Sequence, residues 1–323
     1  MVKKLSLFLL GVLVIFFTSC SKDEGSSNSD YSDDITVDSA IVEIIKNVSA
    51  DSIEKYVQSL ESLETRFALA PNRKEVALNI LNKFKSFGLD NIVLDSFQLN
   101  QSYDGQVYYT WQYNVIATLE GSSYPDSICI IGGHHDCIVR SDSGNPLLFA
   151  PGANDNASGV ATTLEVARVI KLVNFVPKST IKFMTFAAEE LGLYGSWDYA
   201  CKAFNQGEKI KMMLNDDMVA YWSNPDTSNW CVNIIDYQNS TSLRLSAAHA
   251  CALYTTLKTV NDNTYQKYSD SYPFSAYNYK AIFFISNADD KNYHTINDLT
   301  TACNFKFCRE VAKVNCVLLI QDN

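Results

Sequence analysis

Residues 126–134 read DSICIIGGH, and His135 and Asp136 follow directly. Ile128, Cys129, Ile130 and Ile131 form an unbroken apolar run, the pattern of a strand buried on both faces. The run ends in a polar cluster that takes two of the four histidines in the chain. Side chains alternate in direction along a strand, so His134 and Asp136 share one face while His135 points the other way. An imidazole with a carboxylate two residues on is a common build for a metal ligand and the group that orients it. A hydrogen-bonded histidine without a metal gives the same local pattern, so the rest of the chain must decide.

Upstream, apolar residues recur at three- and four-residue spacings from residue 42 to 87, which predicts helix, with Gly88 as a stop. NIVLDSFQL (91–99) and YYTWQYNVIATLEG (108–121) read as strands. Downstream, strands and helices alternate. GVATTLEVARVIKLV (159–173) is an amphipathic helix and STIKFMTFAA (179–188) a second buried strand. KIKMMLNDDM (209–218) and KAIFFIS (280–286) are two more, and FKFCREVAKVNCVLLIQ (305–321) closes the chain as a helix. The expected fold is α/β, with a mostly parallel central sheet flanked by helices on both faces. Ligands of such sheets bind beyond the carboxyl ends of the strands.

Polar residues gather at those ends. In APGANDNASGVATTLE (150–165), Gly152 and Gly159 permit a tight backbone, and Asn156 or Ser158 can cap the helix, which frees Asp155. FMTFAAEELGLYGS (183–196) runs a buried strand straight into Glu189 and Glu190. MMLNDDMVAYW (212–222) does the same with Asp216 and Asp217, and NYHTINDL (292–299) places His294 after the last strand. Adjacent carboxylates at the mouth of an apolar strand are costly unless something positive meets them.

Five motifs, GGHHD (132–136), PGANDNASG (151–159), EELGLYGS (189–196), LNDDM (214–218) and YHTIND (293–298), stand in this order. Over roughly residues 45–320 the chain resembles the co-catalytic zinc aminopeptidases of peptidase family M28, whose motifs they match in order and spacing. The resemblance implies a zinc aminopeptidase-like α/β/α sandwich and two Zn²⁺ ions bridged by Asp155. His134 and Asp217 would complete one site, Glu190 and His294 the other. Glu189 would be the general base, Asp136 the orienter of His134, and Tyr293 a hydrogen-bond donor to the substrate carbonyl. Asp216 falls at a variable position of the motif, and Asp298 reads as structural. The charges agree independently: three ligand carboxylates, two Zn²⁺ and a shared hydroxide sum to zero, which makes burial tolerable. Nitrogen and oxygen donors without cysteine suit a catalytic zinc.

The implied activity is that of a zinc-dependent exopeptidase removing N-terminal residues from peptides. Two other readings stand beside it. One is a glutaminyl cyclase of the same fold, using one zinc. The other is a non-catalytic peptide-binding lipoprotein on the same scaffold, which would be expected to have lost ligands or base. The match thins in SDSYPFSAYNYKA (269–281), where Ser269, Asp270, Pro273 and Phe274 agree with the family pattern but Ser271 replaces its His. Met218, Tyr272 and Phe274 are candidates for the pocket wall, with core packing as the alternative. His249 matches no motif and reads as packed or superficial. Cys137 adjoins the site, but no histidine is free to activate it, which excludes a cysteine hydrolase.

The segment MVKKLSLFLLGVLVIFFTSC has a basic start and an apolar stretch too short to span a bilayer comfortably. It resembles a bacterial lipoprotein signal peptide (1–19), with Cys20 as the lipidated residue and membrane attachment through it. A flexible acidic tether (20–38) and a single zinc metallopeptidase domain (39–323) would follow. Ser21-Lys22-Asp23-Glu24 resembles an acidic signal that carries some outer-membrane lipoproteins to the cell surface, and a solvated linker explains the same residues. Losing Lys3 and Lys4 would take the net charge from −10 to −12, which removes any general attraction for nucleic acid. The nine cysteines include no CxxC pair; Cys303 and Cys308 are read as a disulfide or as buried thiols.

Overall fold

The computed structural model describes residues 37–224 and 226–323. The signal peptide, Cys20 and nearly all of the tether expected from the sequence lie outside the described residues. The chain opens with helices α1 (Ser39–Ile45), α2 (Ala50–Glu61) and α3 (Arg73–Ser86), then strands β1 (Ile92–Tyr103), β2 (Gln106–Leu119) and β3 (Tyr124–His134). Helix α4 (Ser158–Leu172), β4 (Ser179–Phe186), α5 (Tyr194–Gln206) and β5 (Lys209–Asp216) follow. Then come β6 (Cys231–Asp236), α6 (Thr241–Tyr254), β7 (Lys258–Val260), α7 (Ser271–Ala276), β8 (Ala281–Ser286) and α8 (Phe305–Gln321).

The helical pattern over 42–87 resolves into three helices, each begun by local chemistry. Asp38 accepts from Ala40 N and Ser49 from Ser52 N, the side-chain caps that supply acceptors to the first turns of α1 and α2. Helix α2 buries Ile53, Tyr56, Val57 and Leu60, one stripe at helical spacing. The stretch between α2 and α3 is not helical, and its residue Arg66 proves important to the site.

All eight strands form one sheet in the order β1-β2-β4-β3-β5-β8-β6-β7. The central four, β4, β3, β5 and β8, run parallel. The margins add antiparallel pairs, β1 with β2, β2 with β4, and β6 with β8, so the sheet is mixed. Alternation in β3 shows why its run is continuously apolar. Cys129 and Ile131 pack into a core shared with α1, α2, α3, α4, α6 and α8, whereas Ile128 and Ile130 meet α5 and Phe274 of α7 on the other face. Residues Val37–Asn323 make one compact unit around these two layers.

From β3 the chain moves to β4 on one side, then crosses back to β5 on the other. That reversal opens a crevice at the carboxyl ends of β3 and β5, the general location of ligand sites in such sheets. The hairpin of β1 and β2 extends the sheet on the β4 side. It stays paired to Tyr103↔Gln106, well past the last β2–β4 pair at Val115↔Thr185. Its inner face buries Phe97 and Leu99 against Phe67, Leu69 and Ala187.

Cys303 and Cys308 are both thiols, which decides between the two readings of that pair. Cys308 Sγ lies 3.3 Å from Thr162 Oγ1 within the core.

Candidate active site

His134 ends β3, and Asp217 follows β5, whose last paired residue is Asp216. Glu189 and Glu190 follow β4, Asp155 precedes α4, and His294 sits in the loop after β8, with φ +55°. Five segments far apart in sequence thus deliver their side chains to one crevice.

The two oxygens of Asp155 face different partners. Oδ1 lies 3.3 Å from His134 Nε2, and that nitrogen lies 3.4 Å from Asp217 Oδ1. Oδ2 lies 3.1 Å from His294 Nε2, which is 3.0 Å from Glu190 Oε2. Donor atoms of His134, Asp155 and Asp217 fall within 4.8 Å of one another, and so do those of Asp155, Glu190 and His294. These are the two sets anticipated from the sequence. His294 Nε2 and Glu190 Oε1 are buried yet make no aligned hydrogen bond. Nitrogen and carboxylate atoms gathered this closely, with only the long His134–Asp217 contact in hydrogen-bond geometry among these pairs, suit shared cations, and the hard oxygen and borderline nitrogen donors suit zinc.

Charge makes the same point. Burial opposes a proton on His134, but Glu189 and Asp217 hold its pKa well above the ordinary histidine value. His294 is likewise lifted, to about 10, by Asp155 and Glu190 against the effect of burial. Burial, with Asp155 beside it, raises Glu190 to about 7; burial also pushes Glu189 well up. Burial would raise Asp155 as well, yet the two imidazoles hold it below the usual carboxylate range. Without ions the cluster resorts to protons for neutrality, the expected response of crowded buried carboxylates.

Second partners fix these groups. His134 Nδ1 lies 3.1 Å from the main-chain oxygen of Asp136 and 3.7 Å from its carboxylate. The Asp136 carboxylate instead accepts from Glu189 N (3.0 Å) and Glu190 N (3.3 Å). Asp136 therefore orients His134 through its carbonyl and the two glutamates through its side chain. His135 is the bystander: it faces Thr185 Oγ1 at 3.0 Å, and burial lowers its pKa to about 4. Ser269 Oγ donates to Asp217 Oδ2 at 2.7 Å. Asp216 points into the opposite layer, receives Asn315 Nδ2 at 2.8 Å, and is raised well above the usual range by burial. Asp298 accepts from Asn154 N and Asp155 N at 2.8 and 2.9 Å and so holds the loop of Asp155.

That loop is tight. Asn156 Oδ1 caps α4 at Gly159 N (2.8 Å), leaving Asp155 unengaged as anticipated. A Cβ on Gly159 would stand 2.0 Å from the carbonyl oxygen of Asp216, so no other residue fits without backbone movement. Gly152 has φ +50° and would collide with Cys137.

Arg66 escapes the sequence reading altogether, and so does the burial of Asp270. Arg66 is fully enclosed, and its guanidinium donates to His135 O (2.9 Å), Pro151 O (2.7 Å) and Gly152 O (2.7 Å). It ties the end of β3 to the start of the Asp155 loop, a task that needs its rigid fork of donors. A lone arginine ahead of the apolar run Phe67–Ala70 was the only available signal. Asp270 is completely buried with neither carboxylate oxygen hydrogen-bonded, and burial raises it to about 7. Its place in the S-D-x-x-P-F match marks it, but nothing local reveals its burial.

The pocket wall departs from expectation. Met218 lines the cavity, whereas Phe274 is buried against Phe186 and Tyr272 packs edge-on to Trp197. Both aromatics belong to the α5–α7 layer, because α7 lies across the sheet face and not at the strand ends. Tyr293 stands at the rim, half-exposed and stacked on His294 with ring centroids 3.8 Å apart.

The sequence model of peptidase family M28 matches residues 114–319. A probable aminopeptidase of Saccharomyces cerevisiae is 31% identical over 206 residues, which cover 61% of this chain and 52% of that protein. The chain spans about half the length, or less, of the first curated relatives it matches. Among solved structures, an aminopeptidase from Aneurinibacillus sp. superposes with a TM-score of 0.72 at 20% identity, covering 87% of this chain and 95% of that one. A glutaminyl cyclase from Bacteroides thetaiotaomicron gives 0.68 at 18% identity, covering 86% and 99%. At such identities the superpositions establish the fold and do not separate the two activities.

Proposed function

The chain belongs to peptidase family M28, and on that premise we propose that it is a zinc-dependent aminopeptidase that hydrolyses N-terminal residues from peptides. The observation that carries the reading is Asp155, whose two oxygens face two separate His-and-carboxylate sets. His134, Asp155 and Asp217 would hold one zinc ion, and Asp155, Glu190 and His294 a second. Two such ions would supply polarisation of a peptide carbonyl and a water whose pKa lies near 7.

The chain's own residues do the rest. Glu189 lies beside the cluster, its Oε2 3.9 Å from His134 Nε2, and accepts the proton of the attacking water. It returns that proton to the departing amine as the carbon–nitrogen bond breaks. Asp136 keeps Glu189 and Glu190 in place through their main-chain N–H groups. Tyr293 donates to the substrate carbonyl oxygen; burial and the surrounding carboxylates hold its pKa above the ordinary value, so it keeps its proton.

Zinc-loaded protein is expected to release p-nitroaniline from aminoacyl p-nitroanilides, to lose that activity on chelation and to regain it with zinc. A peptide with N-terminal glutamine separates the cyclase reading. Free glutamine supports the peptidase, whereas ammonia with a cyclised terminus overturns it. The amino-terminal sequence supports a further proposal, export as a lipoprotein held to the outer membrane through Cys20. A Cys20→Ser variant should then leave the membrane fraction; retention there would refute the anchor.

A further inference from the structure

Which N-terminal residue is removed depends on the cavity beside the cluster, and this inference rests on the aminopeptidase reading. The cavity, about 460 Å³, runs from His134 and Asp155 across β8 and β6 to Asn233, Asp262, Tyr265 and Tyr268. Its far end is held rigidly. Asp262 N donates to Asn233 Oδ1 at 2.9 Å, and Asn233 Nδ2 donates back to Asp262 O at 2.8 Å. Asp262 then caps the short turn Asn263–Tyr265, with Oδ1 accepting from Thr264 N at 3.0 Å and Thr264 Oγ1 at 2.7 Å.

Among the described residues seven carboxylates line the cavity, and no lysine or arginine does. Asp155, Glu189, Glu190 and Asp217 belong to the reacting cluster. Asp290 accepts from Asn154 Nδ2 and Asn292 N, each at 2.8 Å, and Asp289 pairs with Lys291. Asp262 remains, its Oδ2 without a hydrogen-bond or ion-pair partner among the described residues. Beside it Tyr265 and Tyr268 leave 53% and 71% of their surface exposed, an unusual extent for aromatic residues lining one cavity. Aromatic faces leading to an exposed carboxylate with one free oxygen match an aliphatic stem that ends in a positive charge.

Reach decides which cation this is. Asp217 N is bonded to Phe284 O of β8, Asn233 of β6 pairs with Ile285, and Asp262 is latched beyond Asn233. Two strand spacings of about 4.8 Å, then the Asn233 side chain with its hydrogen bond, about 6 Å more, put the Asp262 backbone about 15 Å from that of Asp217. The substrate's α-ammonium lies only about 2.5 Å from the scissile carbon and stays beside the cluster. An extended arginine or lysine side chain, about 6–7 Å long, covers the gap to a carboxylate reaching toward it, and a leucine side chain stops about half way.

We infer that the enzyme selects peptides whose N-terminal residue is arginine or lysine, and that Asp262 receives the guanidinium or ammonium group. Steady-state kinetics of the zinc-loaded full chain on arginyl, lysyl and leucyl p-nitroanilides test this. The two basic substrates should exceed leucyl in kcat/KM by about tenfold or more. Asp262→Asn, which preserves the cap, should cut that preference by about 10- to 100-fold, chiefly through KM. Asp262→Ser, also a capping residue, should do the same and guards against a folding defect in either variant. Equal or better turnover of the leucyl substrate by the unaltered protein overturns the inference alone, as does an equal loss on arginyl and leucyl substrates in both variants. Failure on every anilide overturns the proposed function, and this inference with it.

Discussion

Replacing Glu189 by glutamine is expected to lower kcat by about a thousandfold or more, with the zinc content unchanged. The substitution keeps size and shape but removes the group proposed to carry the proton, and a positioned general base contributes about 10²- to 10⁴-fold. Metal content is the decisive second readout. His134, Glu189 and Glu190 also bring donor atoms within 4.8 Å of one another, so geometry alone permits Glu189 to be a ligand. A variant that turns over slowly with both ions in place identifies a base. One that loses zinc identifies a ligand, and one with full activity removes Glu189 from the chemistry. KM should change little, because Glu189 acts on a proton and not on the substrate's side chain.

Removing the metal should abolish activity and also destabilise the fold, by an amount that grows with pH. Ligand present at a thousand times its Kd stabilises the folded state by about 4 kcal/mol, and losing that lowers Tm by about 10 °C for a domain of this size. The pH dependence comes from the proton uptake of the apoprotein. Burial raises Glu190 to about 7 and Glu189 well above its usual value. Between about pH 4.5 and pH 7 the folded apoprotein therefore binds more protons than the unfolded chain, so its stability falls as pH rises. His294, lifted to about 10, extends the same trend from about pH 6.5 upward, because its folded-state proton is lost only through pH 10. Deprotonation favours metal binding over the same range. The Tm gap between zinc-loaded and chelated protein should thus widen from pH 5 to pH 8. A constant or shrinking gap would show that these carboxylates and imidazoles are not the ligands.

The parallel core of the fold was legible because two periodicities suffice for it. Runs such as residues 128–131 announce strands buried on both faces, and stripes such as that of α2 announce helices lying on them. The antiparallel margin was harder. The sequence reading assigns no strand to Cys231–Asp236, since CVNIID is short and mixes polar with apolar residues. It becomes a strand because β8 offers it an edge. The pocket wall failed for a related reason. Tyr272 and Phe274 lie close in sequence to Ser269, which does touch Asp217, but α7 turns them under the sheet.

By itself the sequence determined which residue types stand at the strand ends and which way each points. Covalent alternation along a strand separates His134 from His135 whatever the rest of the chain does. Only the tertiary structure decided which ends meet. Asp155 serves two sets of partners because the chain reverses its winding between β3 and β5 and a buried Arg66 pins the loop to the strand. The same holds for Asp262, which enters the cavity through a pair of hydrogen bonds to Asn233 on a neighbouring strand. Side-chain direction is a local property of the backbone; convergence is a property of topology, and no short stretch of sequence contains it.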